Sequence, residues 1–345
     1  MRSESISLRQ IAVLTVTGLL APAADLLPGF LTRAAGRAGW LVPLLVLPAV
    51  WLWVWAVDSL FNREGRDLGG ALKLGLGKGL GWTVVLLYIM WGTALLGGGA
   101  ARASSRLGEV YGDTAGMVLS GLVLLLALWM AWGKDAALCR AAELLWLAVG
   151  VAVAAVLLLS LFQIKGERLV PAWEDWKGGP AAWTGCLGVV GSAVFGTALA
   201  GEAAREKKGR RRLLGWGTVL CVLTALLAAA VLGQVGAELA MKLEHPFLIM
   251  VQGLSVEGGF ARLEAPVAAL WLLADFSWMG LLLTAVKNLG GAKAGKWIAA
   301  GVALTALLGQ KLFLRESILV FGGSILGFAL PVLLLPLVRW REKRG

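Results

Sequence analysis

The chain has 345 residues, 59% of them hydrophobic and 15% charged, with a mean hydropathy of +0.79. That balance excludes a soluble globular protein, and repeated apolar runs of about 20 residues define an α-helical integral membrane protein. The net charge of +11 sits in short connections and tails, where it sets topology and meets anionic lipid rather than nucleic acid.

Ten spans are predicted, at about 9–30, 39–58, 80–104, 115–133, 138–163, 182–204, 213–235, 260–286, 297–313 and 318–338. The first is a retained span rather than a cleaved leader, being too long for a signal-peptide core. Its middle reads Gly18-Leu19-Leu20-Ala21-Pro22-Ala23-Ala24-Asp25. Pro22 removes a backbone donor and crowds the preceding turn, so the spacing predicts a break near Gly18–Ala21. Free backbone groups at membrane depth are tolerated only inside protein or on a watery cavity, and broken helices there form transporter-type binding sites. The alternative is a proline kink packed against its neighbours. Asp25 then stands in the first turn of an outer half-helix, where its charge suits the helix dipole or faces a ligand.

In the second span Trp40, Trp51, Trp53 and Trp55 have the placement of interfacial anchors. Residues 59–79 form a short amphipathic piece along the membrane surface. Span three contains Gly92 and Gly97-Gly98-Gly99, which permit close helix approach. With the N-terminus inside, the connections on that side hold 21 Lys and Arg, including the run Arg205–Arg212. The other side holds 10, including Arg102 and Arg106. The excess places both termini in the cytoplasm.

Span six is the partner of span one. Gly185, Gly188, Gly191 and Gly196 weaken it by about 1 kcal/mol each against alanine. If the chain is two repeats of five, about 9–163 and 182–338 within one transmembrane domain, spans one and six correspond. Interruptions at corresponding places point to an inverted-repeat transporter fold with broken helices 1 and 6. The other reading of these glycines is close helix packing. Gly18 to Pro22 with Asp25, and Gly191, Ser192, Phe195 and Gly196, are the candidate ligand-binding residues. Between the seventh and eighth spans, short outer helices are expected at Ala237–Met241 and Pro246–Leu254.

Span eight holds Glu264, Ala268, Trp271 and Asp275 on one helical face, turned into the bundle. Asp275 with Ser277 is a candidate for a cation or proton, or else Asp275 is a neutral, hydrogen-bonded acid. Arg262 and Glu264 form a candidate structural latch at the outer end. Three scattered cysteines and the lone His245 give neither a disulfide framework nor a metal site. With no phosphate loop and no paired histidines, no enzyme or cofactor is expected.

Several segments carry a family resemblance: Ile6-Ser7-Leu8-Arg9-Gln10, Leu26-Leu27-Pro28-Gly29, and Ala35-Gly36-Arg37 with Trp40. Further on come Phe260-Ala261-Arg262-Leu263-Glu264-Ala265, Trp271 and Phe276, then Pro331-Val332-Leu333-Leu334-Leu335 and the basic tail from Arg339. In this order they resemble the spore-germination permease family, the B subunit of germinant receptors, within the amino acid–polyamine–organocation transporter superfamily. The resemblance implies a LeuT-like fold and a subunit of the inner spore membrane, with A and lipoprotein C subunits as partners. It implies that a small nutrient, such as an amino acid, binds at the unwound parts of spans one and six. The chain departs from the family pattern at Phe260, and at Thr197 and Ala198, where acids are expected. An ion- or proton-coupled transporter of amino acids or amines needs the same cavity and stays the alternative.

Overall fold

The computed structural model describes residues 6–62, 67–170, 176, 180–202, 209–254, 263–309 and 320–342. Helix α1 (Leu8–Ala35) opens on a capping box in which Ser7 and Gln10 satisfy each other's backbone N–H groups. It runs for 28 residues with Pro22 and Pro28 inside it, about 42 Å of helix. The break expected at Gly18–Ala21 is absent: α1 is one continuous helix. A proline costs about 3 kcal/mol in a helix interior. Here α1 is buried along almost its whole length, surrounded by helices on several sides, and that packing outweighs the local penalty.

At Gly36 (φ 60°) the chain turns through a 3-10 segment, Gly36–Leu41, into α2 (Val42–Leu45) and α3 (Leu47–Val57). Both α1 and α3 lie along α9 (Gly209–Val235), so the 54-residue apolar stretch Leu8–Phe61 crosses twice. Short α4 (Leu68–Leu76) is capped by Asp67, whose Oδ1 accepts from Gly70 N at 2.9 Å. Helix α5 (Lys78–Tyr111) is the longest, 34 residues bounded by Gly77 and Gly112, both at positive φ. It therefore carries Arg102 and Arg106 within the helix, and both are buried. The assignment of these two to an outer connection is corrected, since α5 continues through Gly108, which packs against Asp113, and ends only at Gly112 with its positive φ.

Helices α6 (Asp113–Trp132) and α7 (Asp135–Leu161) follow. Helix α8 (Pro180–Gly191) passes into a 3-10 stretch, Ser192–Glu202, so span six does change its winding where the glycines weaken it. Beyond α9, α10 (Ala237–Ala240) and α11 (Pro246–Gln252) are the two short helices expected in this connection. Then come α12 (Glu264–Leu289), α13 (Gly291–Leu308), a π-helical stretch Gly323–Ala329 and α14 (Leu330–Glu342). Eight described stretches are long and apolar enough to cross a bilayer. Counting Leu8–Phe61 twice and adding α13, which starts with Lys293 and Lys296, gives a helix for each of the ten expected spans.

Helices α1 and α12 form the centre. α12 touches α1, α5, α6, α7, α13 and the 3-10 stretch of span six. The peripheral helices keep an apolar outer face, such as Leu122, Leu125 and Trp129 of α6 and Leu144, Leu147 and Val151 of α7. In a membrane protein such faces meet lipid.

Candidate functional site

One face of α5 presents Gly92, Gly99 and Arg106, seven residues apart, to the centre. A Cβ on Gly92 would lie 3.3 Å from both Phe195 and Val286, and one on Gly99 would lie 3.3 Å from the Trp278 ring. The glycines are there because aromatic side chains of span six and α12 fill the space beside the backbone. Phe195 is fully buried between Tyr88 and Trp91, with ring centroids 6.1 and 4.8 Å away. Gly18 of α1 meets the backbone of Trp278, where a Cβ would sit 2.9 Å from its Cα.

Two turns farther along α1 and α5, Arg106 donates from Nη1 to Asp25 and from Nη2 to Asp275. All three side chains are at most 5% exposed. Two acids from α1 and α12 thus share one guanidinium from α5, the arrangement that makes charge tolerable at membrane depth. Asp25 Oδ1 and Arg106 Nε, and Trp278 Nε1 beside Gly99, are buried with no hydrogen-bond partner among the described residues. Each such group costs about 1–3 kcal/mol.

A second polar centre lies at the other end of α12. Lys287 Nζ binds Asp135 and the Ala131 carbonyl, and Asn288 Nδ2 reaches Asp135 Oδ2 at 2.7 Å and the Ala198 carbonyl at 3.2 Å. It joins α7, α12 and the 3-10 stretch. The two centres are 12 residues apart on α12, about 18 Å.

The candidate residues distribute as follows. Leu19, Leu20, Ala21 and Pro22 are buried within α1. Asp25 and Asp275 come together through Arg106, while Ser277 donates instead to the Leu273 carbonyl at 2.9 Å within its own helix. Asp275 thus has Arg106 as its hydrogen-bond partner, and Ser277 is engaged within α12. Ser192 likewise donates back to the Gly188 carbonyl at 3.0 Å. Gly191 lies against the backbone of Gly323 and Phe328, and Gly196 against Thr15 and Ile11 of α1. The glycines of span six therefore serve close helix packing. A bulky residue at Gly18 or Gly191 displaces the backbone of Trp278 or of Gly323 and Phe328. Glu264 is half-buried in the first turn of α12, and Arg262, its latch partner, lies outside the described residues.

Arg106 is the residue that sequence reasoning missed. Its signal was the unbroken helical run from Gly99 to Tyr111, together with two buried acids in need of a counter-charge. The carbonyls of the π-helical stretch are also held by unforeseen donors: Tyr88 hydroxyl to Leu326 O at 2.5 Å and Trp53 Nε1 to Gly327 O at 2.8 Å. Trp53 is thus a buried strut rather than an interfacial anchor.

Residues 5–291 match the family described as "Spore germination protein". No curated protein matches the chain. Among solved structures, the crystal structure of MhsT in complex with L-phenylalanine superposes with a TM-score of 0.75 at 16% identity. The overlap covers 97% of this chain and 89% of that one. The fold is accordingly the LeuT-like one.

Proposed function

The chain belongs to the spore germination protein family, and from that premise we propose that it is the nutrient-binding membrane subunit of a germinant receptor. The ligand site lies between the two polar centres, at the closed contact where Gly18, Gly92 and Gly99 pack against Trp278 and Phe195, and a ligand enters by parting that contact. The observation that carries this reading is the pair of unpartnered buried atoms at its outer end, Asp25 Oδ1 and Arg106 Nε, with a third unpartnered donor, Trp278 Nε1, beside Gly99. A small zwitterion satisfies the first two, its ammonium on the Asp25 carboxylate and its carboxylate on the Arg106 N–H. An amino acid has that chemistry, and MhsT, with the same fold, was crystallised with L-phenylalanine. Phe195, the large apolar side chain at the wall, sets the size of ligand accepted.

In the germination setting, binding shifts the balance of two conformations and is passed to the receptor's A and C subunits in the inner spore membrane. The face that holds Leu8 and the ends of α6 and α9's start is cytoplasmic, and α1–α7 and α8–α14 are the two inverted repeats. A coupled transporter is the second reading, favoured by two mid-membrane acids on one guanidinium.

The test is a thermal-shift panel of common amino acids on the purified protein, with Asp25→Asn, Phe195→Ala and Trp278→Phe. Expected are a stabilising ligand for the parent protein, at least tenfold weaker binding in Trp278→Phe, and an altered ligand preference in Phe195→Ala. Ligand responses identical in all three variants place the site elsewhere. Uptake of the same ligand by proteoliposomes decides for the transporter.

A further inference from the structure

Away from the proposed nutrient site, on the opposite side of α1 and span six, lies an apolar shaft of about 90 Å³. Four elements each give it one continuous stripe. α1 contributes Leu8, Ile11, Ala12, Thr15, Val16 and Leu19, at helical spacing. α3 contributes Val50 to Phe61, α9 contributes Leu213 to Leu220, and the 3-10 stretch contributes residues three or so apart, including Ala193 and Thr197. The polar side-chain groups of the lining are two threonine hydroxyls and the indole N–H groups of Trp53, which donates to Gly327 O at 2.8 Å, and Trp216. Thr15 donates its hydroxyl to Ile11 O at 2.7 Å and Thr197 to Val194 O at 2.5 Å. Such a lining offers no charged partner to an ammonium or a carboxylate.

Its shape suits something else. Leu8, Phe61 and Leu213 stand at the ends of their elements on the N-terminal face, and Leu19 lies 11 residues deeper. That is about 16 Å, half of a hydrocarbon core of about 30 Å. Half-buried Leu213, Trp216 and Gly217 form one wall. Next in sequence to the lining residues Leu8 and Leu213 stand arginines: Arg9, paired with Glu143 at 3.5 Å and 64% exposed, Arg210, bound to Asp58 at 3.2 Å and one-third exposed, and exposed Arg211 and Arg212. A narrow apolar shaft one leaflet deep under a basic rim is complementary to a single amphiphile with a negative head.

We propose that this shaft is a binding site for one acyl chain of an anionic phospholipid, whose head group lies on the arginines at the mouth. The chain is wedged between the inner halves of α1 and span six on one side and α3 and α9 on the other. The bound lipid therefore holds α1 and span six against their neighbours. The site is independent of the nutrient reading, which uses the α5 and α12 faces of the same segments.

The test is native mass spectrometry of the full-length purified protein titrated with phosphatidylglycerol or phosphatidylcholine of identical chains, alongside thermal shifts in the same detergent. Two variants separate tail from head: Ala193→Leu fills the shaft, and Arg211→Gln/Arg212→Gln strips the rim outside the membrane. The parent protein should retain phosphatidylglycerol at least tenfold better than phosphatidylcholine. Ala193→Leu should lose that retention about tenfold without a lower melting temperature in lipid-free detergent, and the double glutamine variant should lose the preference between head groups. Should Ala193→Leu unfold, Ala12→Val takes its place as a smaller fill. Equal retention of the two lipids by the parent, or undiminished phosphatidylglycerol binding in the filled variants, overturns the site. So does an amino acid whose thermal shift disappears in Ala193→Leu while lipid binding persists, which assigns the shaft to the nutrient instead.

Discussion

Arg106→Met removes the guanidinium and keeps most of the apolar stem, leaving Asp25 and Asp275 facing each other without a counter-charge. Breaking a buried ion pair from one side costs about 3–5 kcal/mol, because the surviving charge stays desolvated. Insertion scales price one charge at a helix centre at about 2.5–3.5 kcal/mol, the same order. At about 2–4 °C per kcal/mol, the melting temperature in detergent should fall by about 6–20 °C. Asp25→Asn and Asp275→Asn each leave Arg106 one carboxylate and should fall between the two extremes. The triple variant Asp25→Asn/Arg106→Met/Asp275→Asn has no buried charge left and should regain most of the loss, since neutral replacement of a buried ionic cluster is often neutral or stabilising. A loss of about 1 kcal/mol or less in Arg106→Met, the worth of an exposed pair, refutes the reasoning. A triple variant as unstable as the single one refutes it equally.

Other outcomes follow from individual contacts. Gly18→Ala should destabilise by about 1–3 kcal/mol through the Trp278 backbone. Gly79→Ala, with nothing within 4 Å of its Cβ, should be neutral or gain up to about 1 kcal/mol of helix propensity; melting curves compare them directly. Tyr88→Phe strands the Leu326 carbonyl and should cost about 1–3 kcal/mol, with faster hydrogen exchange across 323–329; unchanged exchange removes the strut. Cysteines introduced at exposed Arg211 and Glu167, with the native cysteines buried, should label from opposite sides of the membrane. Labelling of both from one side refutes the topology.

How far the sequence could be read depended on whether a feature was local. The face Ala268–Trp271–Asp275 was legible because a 3.6-residue period is a property of one helix, and all three side chains are buried. The loosening of span six was legible from its glycines, which lie where α-helix gives way to 3-10 winding. The break in span one was not, since the cost of Pro22 is local while the packing that overrides it comes from α9, α12 and span six. Arg106 was hidden for a related reason. Charge counting treats basic residues as belonging to connections, and only the length of α5 reveals that this one is inside. The partner of Gly188 and Gly191 was equally out of reach, because a glycine reports that something comes close and not that it is Gly323 and Gly327.

These non-local contacts bear on how the molecule can change shape. Span six below Gly191 has the weaker hydrogen-bond geometry of a 3-10 helix over 11 residues, far beyond the three or four usual for that winding. It is held extended by its neighbours: Asn288 grips its Ala198 carbonyl from α12, and Gly196 seats against Thr15 of α1. Eleven residues span about 22 Å at 3-10 rise and about 16 Å as α-helix. The segment therefore has about 5 Å of length to give up once those two grips are loosened. Rigid α12 carries the Asp275 centre at one level and the Asn288 grip at the other, so a displacement of α12 at the first centre is felt at the second. A ligand moves that balance only by the difference in its affinity for the two arrangements. At the proposed site between the two centres a ligand would meet both α12 and span six, the two elements whose arrangement changes.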